Sequence, residues 1–251
     1  MSKSKLAIIS LTSCEGCQFA LLDQGKEFLK LIRNIELSEF RLVEERQLRE
    51  KYFDIALVEG NPITKENLKL LKEVRKKAKI LITLGNCADM GGIPGIRNYK
   101  KSFDAAKYVY QNERADIAKK VDKISNIVQP DYVLAGCPIN AKDFTKLIYS
   151  LISGLEPEHV SRPICWECQI NGYECLLQRG EICLGPITSG GCEAVCLKSK
   201  QACWGCRGMI NNANKESFIK ALKNGKHKQK DINETMEVFG IREEVEEEFD
   251  K

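Results

Sequence analysis

The placement of twelve cysteines constrains the fold of this chain more than any other feature of its sequence. Eight of them lie between Cys165 and Cys206, and each of the other four lies near the end of a strand-like segment. Twelve thiols divide evenly into three groups of four, and four thiolates are the ligand set of a 4Fe–4S cluster. The sequence therefore predicts three iron–sulfur clusters in a chain of 251 residues, which is long enough to bury a substantial core.

The composition argues against several other classes of protein. A net charge of +4 and an aromatic content of 7% do not give the strongly basic face of a nucleic-acid-binding protein. The first apolar run is only as long as a strand, no twin-arginine pair precedes it, and no run of 18 apolar residues occurs, so a cytoplasmic location is expected. In that reducing compartment, cysteines are expected to bind metal or take part in catalysis instead of forming six disulfides.

The first part of the chain, residues 1–155, alternates between strand-like and helix-like segments. Apolar runs that predict strands are Leu6–Leu11, Phe53–Val58, Ile80–Leu84 and Tyr132–Ala135, with a weaker one at Glu36–Val43. Helices are predicted at about 16–33, 65–77, 102–125 and 141–153. This alternation predicts an α/β fold with an open, largely parallel sheet.

The chain changes character at Glu156. Pro157 and Pro163 interrupt it, seven glycines fall between Gly172 and Gly208, and no helical or strand period is evident there. A segment so rich in Gly and Cys needs another source of order, which eight metal-bound thiolates would supply. We therefore expect a cysteine-rich domain at 156–212, followed by a charged tail at 213–251 with a short helix near Phe218.

Four cysteines form a first group at the predicted carboxyl ends of strands, where open α/β sheets bind ligands. Cys14 and Cys17 form a C-x-x-C turn after the first strand, while Cys87 and Cys137 each follow a later strand and a glycine. Either of the last two alone would be interpreted as a buried structural thiol. Their common position beside a C-x-x-C turn favours one shared metal site.

The remaining eight cysteines split into two local quartets, although spacing alone leaves interleaved assignments open. The quartets are Cys165, Cys168, Cys175, Cys183 and Cys192, Cys196, Cys203, Cys206. Zinc, which also accepts four thiolates, is the alternative metal. Pairing the C-x-x-C elements as a zinc site would leave four intervening cysteines unused, so iron–sulfur clusters are favoured. His159 is a marginal ligand candidate and His227 is interpreted as solvated.

The chain resembles the small subunit of nickel–iron hydrogenases over about residues 5–210. The matching motifs are LTSCEGCQ, LVEGNP, TLGNCADMGGIPG, AGCPIN and the cysteine-rich run that begins CWECQINGYEC. The resemblance is strongest to the delta subunit of cytosolic sulfhydrogenases and to the small subunit of viologen-reducing hydrogenases. It implies a flavodoxin-like domain that holds a proximal cluster, followed by a loop-rich domain that holds a medial and a distal cluster.

The resemblance also implies which cysteines bind which cluster. Cys14, Cys17, Cys87 and Cys137 match the proximal ligands, the quartet from Cys165 matches the distal ligands, and the quartet from Cys192 matches the medial ligands. Periplasmic relatives have a histidine where Cys165 stands, and they usually lack a cysteine equivalent to Cys196. Because this chain has both cysteines, three 4Fe–4S clusters are expected.

By the same resemblance, hydrogen is cleaved in a separate large subunit that binds nickel and iron. Electrons would pass from the proximal to the medial and distal clusters and then to a further redox subunit of flavin/nicotinamide, ferredoxin-like or heterodisulfide reductase type. No nucleic acid is expected as a partner. The Cys14–Cys17 turn would face the large subunit, with Glu15 at that interface, and Glu59 is as well explained by a cap or a backbone acceptor as by a role in proton handling.

Four other interpretations account for part of the sequence. A complex I-like iron–sulfur subunit shares the first-domain fold, but it would have tandem cysteines and no second cysteine-rich part. A free-standing ferredoxin would need no α/β domain, and a zinc-stabilised interaction module would be a non-enzymatic protein. A flavin-binding protein would need a phosphate-binding loop where this chain has a C-x-x-C turn.

Overall fold

The chain divides into two compact units, Met1–Glu156 and Pro157–Lys251. The computed structural model describes residues 3–43, 50–100, 120–225 and 227–249. Residues 213–251, expected as a separate tail, belong to the second unit. The assignment of a cofactor to each domain stays a prediction.

The first unit is built on a five-stranded sheet in which every neighbouring pair of strands is parallel. Its strands are β1 (Ser4–Ser10), β2 (Ile35–Phe40), β3 (Phe53–Glu59), β4 (Ala78–Leu84) and β5 (Tyr132–Leu134). Their order, β2-β1-β3-β4-β5, is the order of flavodoxin-like sheets. The predicted α/β class is therefore confirmed.

Six α-helices are described in this unit, and they match the predictions in part. They are α1 (Gly16–Leu22), α2 (Lys26–Ile32), α3 (Lys65–Lys77), α4 (Asn86–Met90), α5 (Gly92–Gly95) and α6 (Ala141–Ile152). The single helix predicted at 16–33 is two helices, because Gly25, with φ of 54°, turns the chain between them. Helix α3 begins at a capping box in which Thr64 and Asn67 each accept a hydrogen bond from the other's backbone N–H.

The helix predicted at 102–125 falls mostly on residues 101–119, outside the described residues. Its described end is not α-helical, since Ile124–Asn126 form a 3-10 turn instead. The cause is local: the Asn98 side chain accepts a hydrogen bond from Val121 N–H and donates one to Val121 O, both at 2.9 Å. These bonds take the place of helical partners, so the end of that prediction was wrong.

Apolar side chains pack on both faces of the sheet. Alternate residues of β1 point to opposite faces, with Leu6 and Ile8 in one core and Ala7 and Ile9 in the other. One core includes Leu21, Phe28 and Phe144 from helices α1, α2 and α6, and the other includes Leu71 and Val74 from α3. Because both faces are covered, the loops at the strand ends remain as the places where reactive side chains can lie.

The second unit has little regular structure around its cysteines. Its helices are α7 (Ile164–Ile170), α8 (Val195–Lys198), α9 (Lys215–Asn224), α10 (Gln229–Glu237) and α11 (Arg242–Phe249). The core around the cysteines is small, and Cys168, Cys183 and Cys203 make up three of its seven buried members. Ile241 packs beside Gly205, so the C-terminal residues contact the cysteine-rich part. No helix among the described residues is long and apolar enough to cross a membrane.

Candidate iron–sulfur site

Hydrogen bonds connect the loops that carry the first cysteine group at the carboxyl edge of the sheet. Asn61 N–H, after β3, donates to Thr12 O, after β1, at 2.9 Å. Asn86 N–H, after β4, donates to Gly136 O, after β5, at 2.8 Å. The Asn61 side chain joins the two pairs of loops by donating to Cys87 O at 2.7 Å. The predicted meeting of these loops at one edge is therefore observed.

The Cys14–Cys17 turn has an unusual backbone that a buried carboxylate supports. Glu15 lies in the left-handed region with φ of 60°, which is costly for a residue with a side chain. Cys17 N–H donates to Glu59 Oε1 at 3.1 Å, and Gln18 Nε2 donates to Glu59 Oε2 at 2.7 Å. Glu59, only 2% exposed, is thus a backbone acceptor that holds the start of α1 against the end of β3.

Glycines leave room for the sulfur atoms of Cys17 and Cys87. A Cβ added at Gly85, whose φ is 84°, would overlap Cys17 Sγ, and one added at Gly92 would lie 2.8 Å from Cys87 Sγ. Alanine at Gly85 or Gly92 would therefore occupy space that the thiols now use. Separately, the Cys137–Pro138 peptide bond is cis.

The first cysteine group is partly buried and electrostatically connected. Burial, followed by the neighbouring Cys137 and Cys14 thiols, raises the pKa of Cys87 to about 11. Burial, followed by Cys14 and Glu59, also raises the pKa of Cys137. The Cys87 and Cys137 thiols are therefore protonated at neutral pH in the metal-free protein, and a bound metal centre would have to displace the protons. Cys14 and Cys137 are exposed, which leaves the site open on one side.

The quartet from Cys165 to Cys183 converges in the second unit. A Cβ added at Gly185 would lie 3.3 Å from Cys165 Sγ and 3.5 Å from Cys183 Sγ, so the two sulfurs flank the same glycine. Burial, followed by the Cys183, Cys175 and Cys168 thiols, raises the pKa of Cys165 to about 12. Cys165 and Cys183 are therefore close neighbours, and Cys175 and Cys168 lie near enough to Cys165 to raise its pKa.

The members of the last quartet lie close together in pairs. In the first pair, burial and then the Cys192 thiol raise the pKa of Cys196. In the second pair, burial raises the pKa of Cys203, and the Cys206 thiol raises it by a smaller amount. Cys183 also raises the pKa of one cysteine in each pair, Cys196 and Cys203. Its Sγ accepts a hydrogen bond from Cys203 N–H at 3.4 Å. Cys183 therefore lies between the two quartets, and the medial and distal assignment stays a prediction.

The donor set fits iron–sulfur clusters. All twelve cysteines are free thiols, and Gly85, Gly92 and Gly185 leave space next to the sulfurs of Cys17, Cys87, Cys165 and Cys183. Among the described residues, no group of three or more His, Cys, Asp or Glu side chains has the spacing that could hold a metal ion. Shared sites are therefore inferred from the bonded strand-end loops and from the sulfurs that lie beside common glycines. His159 is exposed, and His227 Nε2 is buried beside Gly225.

Comparison with known proteins gives a consistent result. The family described as NADH ubiquinone oxidoreductase, 20 Kd subunit, matches residues 14–151. The delta subunit of sulfhydrogenase 2 from Pyrococcus furiosus is 34% identical over 221 residues, which cover 87% of this chain and 92% of the relative. The chain belongs to the 20 kDa subunit family and, within it, to the hydrogenase small subunits.

Two further relatives extend the likeness within the hydrogenases. One subunit of the vhu F420-non-reducing hydrogenase from Methanocaldococcus jannaschii is 29% identical over 239 residues, covering 83% of each chain. A chain in the structure of an NAD+-reducing NiFe-hydrogenase in the H2-reduced state superposes with a TM-score of 0.57 at 29% identity, covering 62% of this chain and 95% of that one. As a hydrogenase subunit, this chain is part of an oxidoreductase that acts on H2.

Several residues that support the candidate site in this hydrogenase subunit were not predicted from the sequence. Asn61 and Gln18 are fully buried. Asn61 donates a hydrogen bond to Cys87 O, and Gln18 donates one to the Glu59 carboxylate that accepts from Cys17 N–H. Glu167, between Cys165 and Cys168, is 5% exposed, and Arg207, directly after Cys206, is 8% exposed. In the sequence, these residues can be recognised only as polar residues within or near a cysteine motif. That pattern is too weak to predict that they are buried.

Proposed function

We propose that the chain is the electron-transfer subunit of a NiFe hydrogenase and that it holds three 4Fe–4S clusters. The observation that carries this proposal is that three strand-end loops of the family-matched unit bring Cys14, Cys17, Cys87 and Cys137 to one edge of the sheet. This group would hold the proximal cluster. The quartet from Cys165 to Cys183 would hold the distal cluster and the quartet from Cys192 to Cys206 the medial cluster.

The chain's own residues would fix and tune these centres. When bound, such clusters supply one-electron transfer at potentials that depend on burial and on hydrogen bonds to sulfur. Cys183 Sγ accepts a hydrogen bond from Cys203 N–H at 3.4 Å. Burial raises the pKa of Cys183 and Cys203, and the backbone N–H groups of Gly185 and Gly205 oppose that rise. These donors stabilise thiolate over thiol and would orient the sulfurs before metal arrives.

The exposed side of the proximal site is the expected contact with the large subunit. Cys14 and Cys137 are exposed there, Phe19 on α1 is 51% exposed, and Ile93, next to Gly92, is 48% exposed. A partner that covers these apolar and sulfur atoms would exclude water from electron transfer. The large subunit would hold nickel and cleave hydrogen, and a further redox subunit would exchange electrons with the distal cluster. We place this assembly in the cytoplasm.

Anaerobic co-purification tests the proposal. A tagged chain should retain a nickel-containing partner, and the complex should reduce benzyl viologen with H2. Cys14→Ser, which removes one proximal ligand, should retain nickel but lose nearly all dye reduction, whereas Gly154→Ala, at an exposed glycine with no atom within 4 Å of an added Cβ, should keep it. Absence of nickel, or full activity in the Cys14 variant, would contradict the proposal.

A further inference from the structure

A buried carboxylate connects the two cysteine quartets of the second unit. Glu167 lies on α7 between Cys165 and Cys168, yet its side chain reaches the loop that carries Cys192. Glu167 Oε1 accepts a hydrogen bond from Gly191 N–H at 2.5 Å, and Oε2 accepts one from Ala194 N–H at 3.3 Å. One carboxylate therefore bonds the backbone on both sides of Cys192.

The loop that Glu167 holds has a backbone that needs support. Glu193 and Ala194 have φ values of 58° and 50°, and two successive left-handed residues with side chains are each costly. Backbone N–H groups that converge in a turn bind anions. Here the anion is internal, because the Glu167 carboxylate accepts hydrogen bonds from the Gly191 and Ala194 N–H groups.

A second charged side chain fixes the other end of the loop. Arg207, directly after Cys206, donates from Nε to Gly190 O at 2.7 Å, and Gly190 N–H donates to Arg162 O at 2.9 Å. Arg162 Nε also lies 3.7 Å from Glu167 Oε1, and its guanidinium stacks 4.3 Å from the centre of the Trp166 ring. Gly190 is thus held between the segment before α7 and the segment after Cys206.

Gly190 also has no room for a side chain. An added Cβ would lie 2.8 Å from Glu167 Oε1 and 2.9 Å from Arg162 O. The Glu167 carboxylate, Gly190 and the Arg207 side chain therefore pack together. We name this contact the Glu167 clamp (Glu167, Gly190, Gly191, Ala194 and Arg207).

We infer that Glu167 is a positioning residue for the medial cluster: it holds the Cys192 and Cys196 thiols in place from the helix that carries the distal ligands. The inference rests on the proposed clusters. It predicts that loss of the carboxylate exposes the medial quartet while the distal quartet, whose own helix and Gly185 contacts remain, stays protected.

The test is cysteine alkylation of the anaerobically purified full chain, mapped by mass spectrometry together with its iron content. In Glu167→Gln, the amide NH2 would replace one acceptor and face a backbone N–H. This variant should lose about four of about twelve iron atoms, with new labelling at Cys192, Cys196, Cys203 and Cys206. The control Glu174→Gln removes an exposed carboxylate beside Cys175 and should resemble the wild type.

Three labelling results overturn the inference. Unchanged iron and labelling in the Gln variant would show that the clamp is dispensable, and labelling centred on Cys165 to Cys183, or spread over all eight cysteines, would show that Glu167 does not act on the medial group. If the Gln variant does not fold, Glu167→Asp, which keeps both oxygens one methylene further back, is judged by the same labelling pattern. A wild-type chain without iron would refute the proposed function instead, and amide exchange at Gly191 and Ala194 in the metal-free variants would still decide whether the clamp exists.

Discussion

The Asn61 amide is the contact through which the proximal site can be tested most sharply. It is fully buried, and its Nδ2 donates to Cys87 O at 2.7 Å and to Gly91 O at 3.2 Å. A third, long contact joins Nδ2 to Asp122 O at 3.5 Å. Asn61→Ala removes the two shorter hydrogen bonds, each contributing about 1 kcal/mol net, together with this contact, and leaves a small cavity. Its Oδ1 has no hydrogen-bond partner, and loss of that buried acceptor offsets part of the cost. The expected decrease in the free energy of unfolding is therefore about 1–3 kcal/mol.

The assay is thermal unfolding of the wild type and variants, prepared identically, with iron content measured on the same samples. For a unit of this size, 1–3 kcal/mol corresponds to a fall in Tm of roughly 3–10 °C. Asn34→Ala, the control, removes an exposed bond from Asn34 Nδ2 to Lys30 O and should lower Tm by less than about 3 °C. The Asn61 variant should also lose proximal iron, because the turn that carries Cys87 is no longer held.

A further substitution separates hydrogen bonding from packing. Asn61→Asp keeps the volume but points carboxylate oxygens at the two carbonyls, so it should destabilise more than Asn61→Ala. If Asp were tolerated better than Ala, or if Asn61→Ala behaved like the Asn34 control, the amide would not be the donor that fixes Cys87, and this reasoning would be refuted.

Three other substitutions test separate parts of the account. Gly85→Ala should abolish proximal cluster binding, because its Cβ would overlap Cys17 Sγ. The control Gly154→Ala, at a glycine that shares the positive φ but has open space around it, should keep full iron content. Equal iron content in the two variants would mean that backbone strain alone matters. Gly190→Ala should reproduce the labelling pattern of Glu167→Gln. The control Gly95→Ala, whose Cβ meets no atom within 4 Å, should label like the wild type. A wild-type pattern in Gly190→Ala would refute the steric argument. Cys196→Ser should leave about eleven iron atoms and a 3Fe–4S EPR signal in the oxidised state; an unchanged twelve-iron spectrum would remove Cys196 from the ligand set.

Strand positions were predictable because burial on both faces of a parallel sheet gives short apolar runs. Phe53–Val58 and Ile80–Leu84 lie inside the observed strands β3 and β4. The run at Glu36–Val43 was weaker because β2 is an edge strand that includes Glu36 and Glu39. The break between α1 and α2 was missed, since apolar residues continue on both sides of Gly25 and only its φ shows the turn.

The meeting of the proximal loops was predictable for a related reason: parallel strands end at the same edge of a sheet. The clamp around Cys192 was not. Glu167 and its backbone partners are 24 and 27 residues apart, and N–H groups carry no sequence signal. The bond from Asn61 to Cys87 likewise spans 26 residues. Side chains that bind distant backbone groups can be recognised only once the loops have been placed.

The central claim, that twelve thiols hold three iron–sulfur clusters, is tested most directly by iron, sulfide and zinc analysis of the anaerobically purified chain, with EPR after reduction. The account predicts about twelve iron and twelve sulfide per chain, and reduced-state signals from interacting 4Fe–4S clusters. Two zinc with little iron would contradict it and leave a zinc-stabilised interaction module.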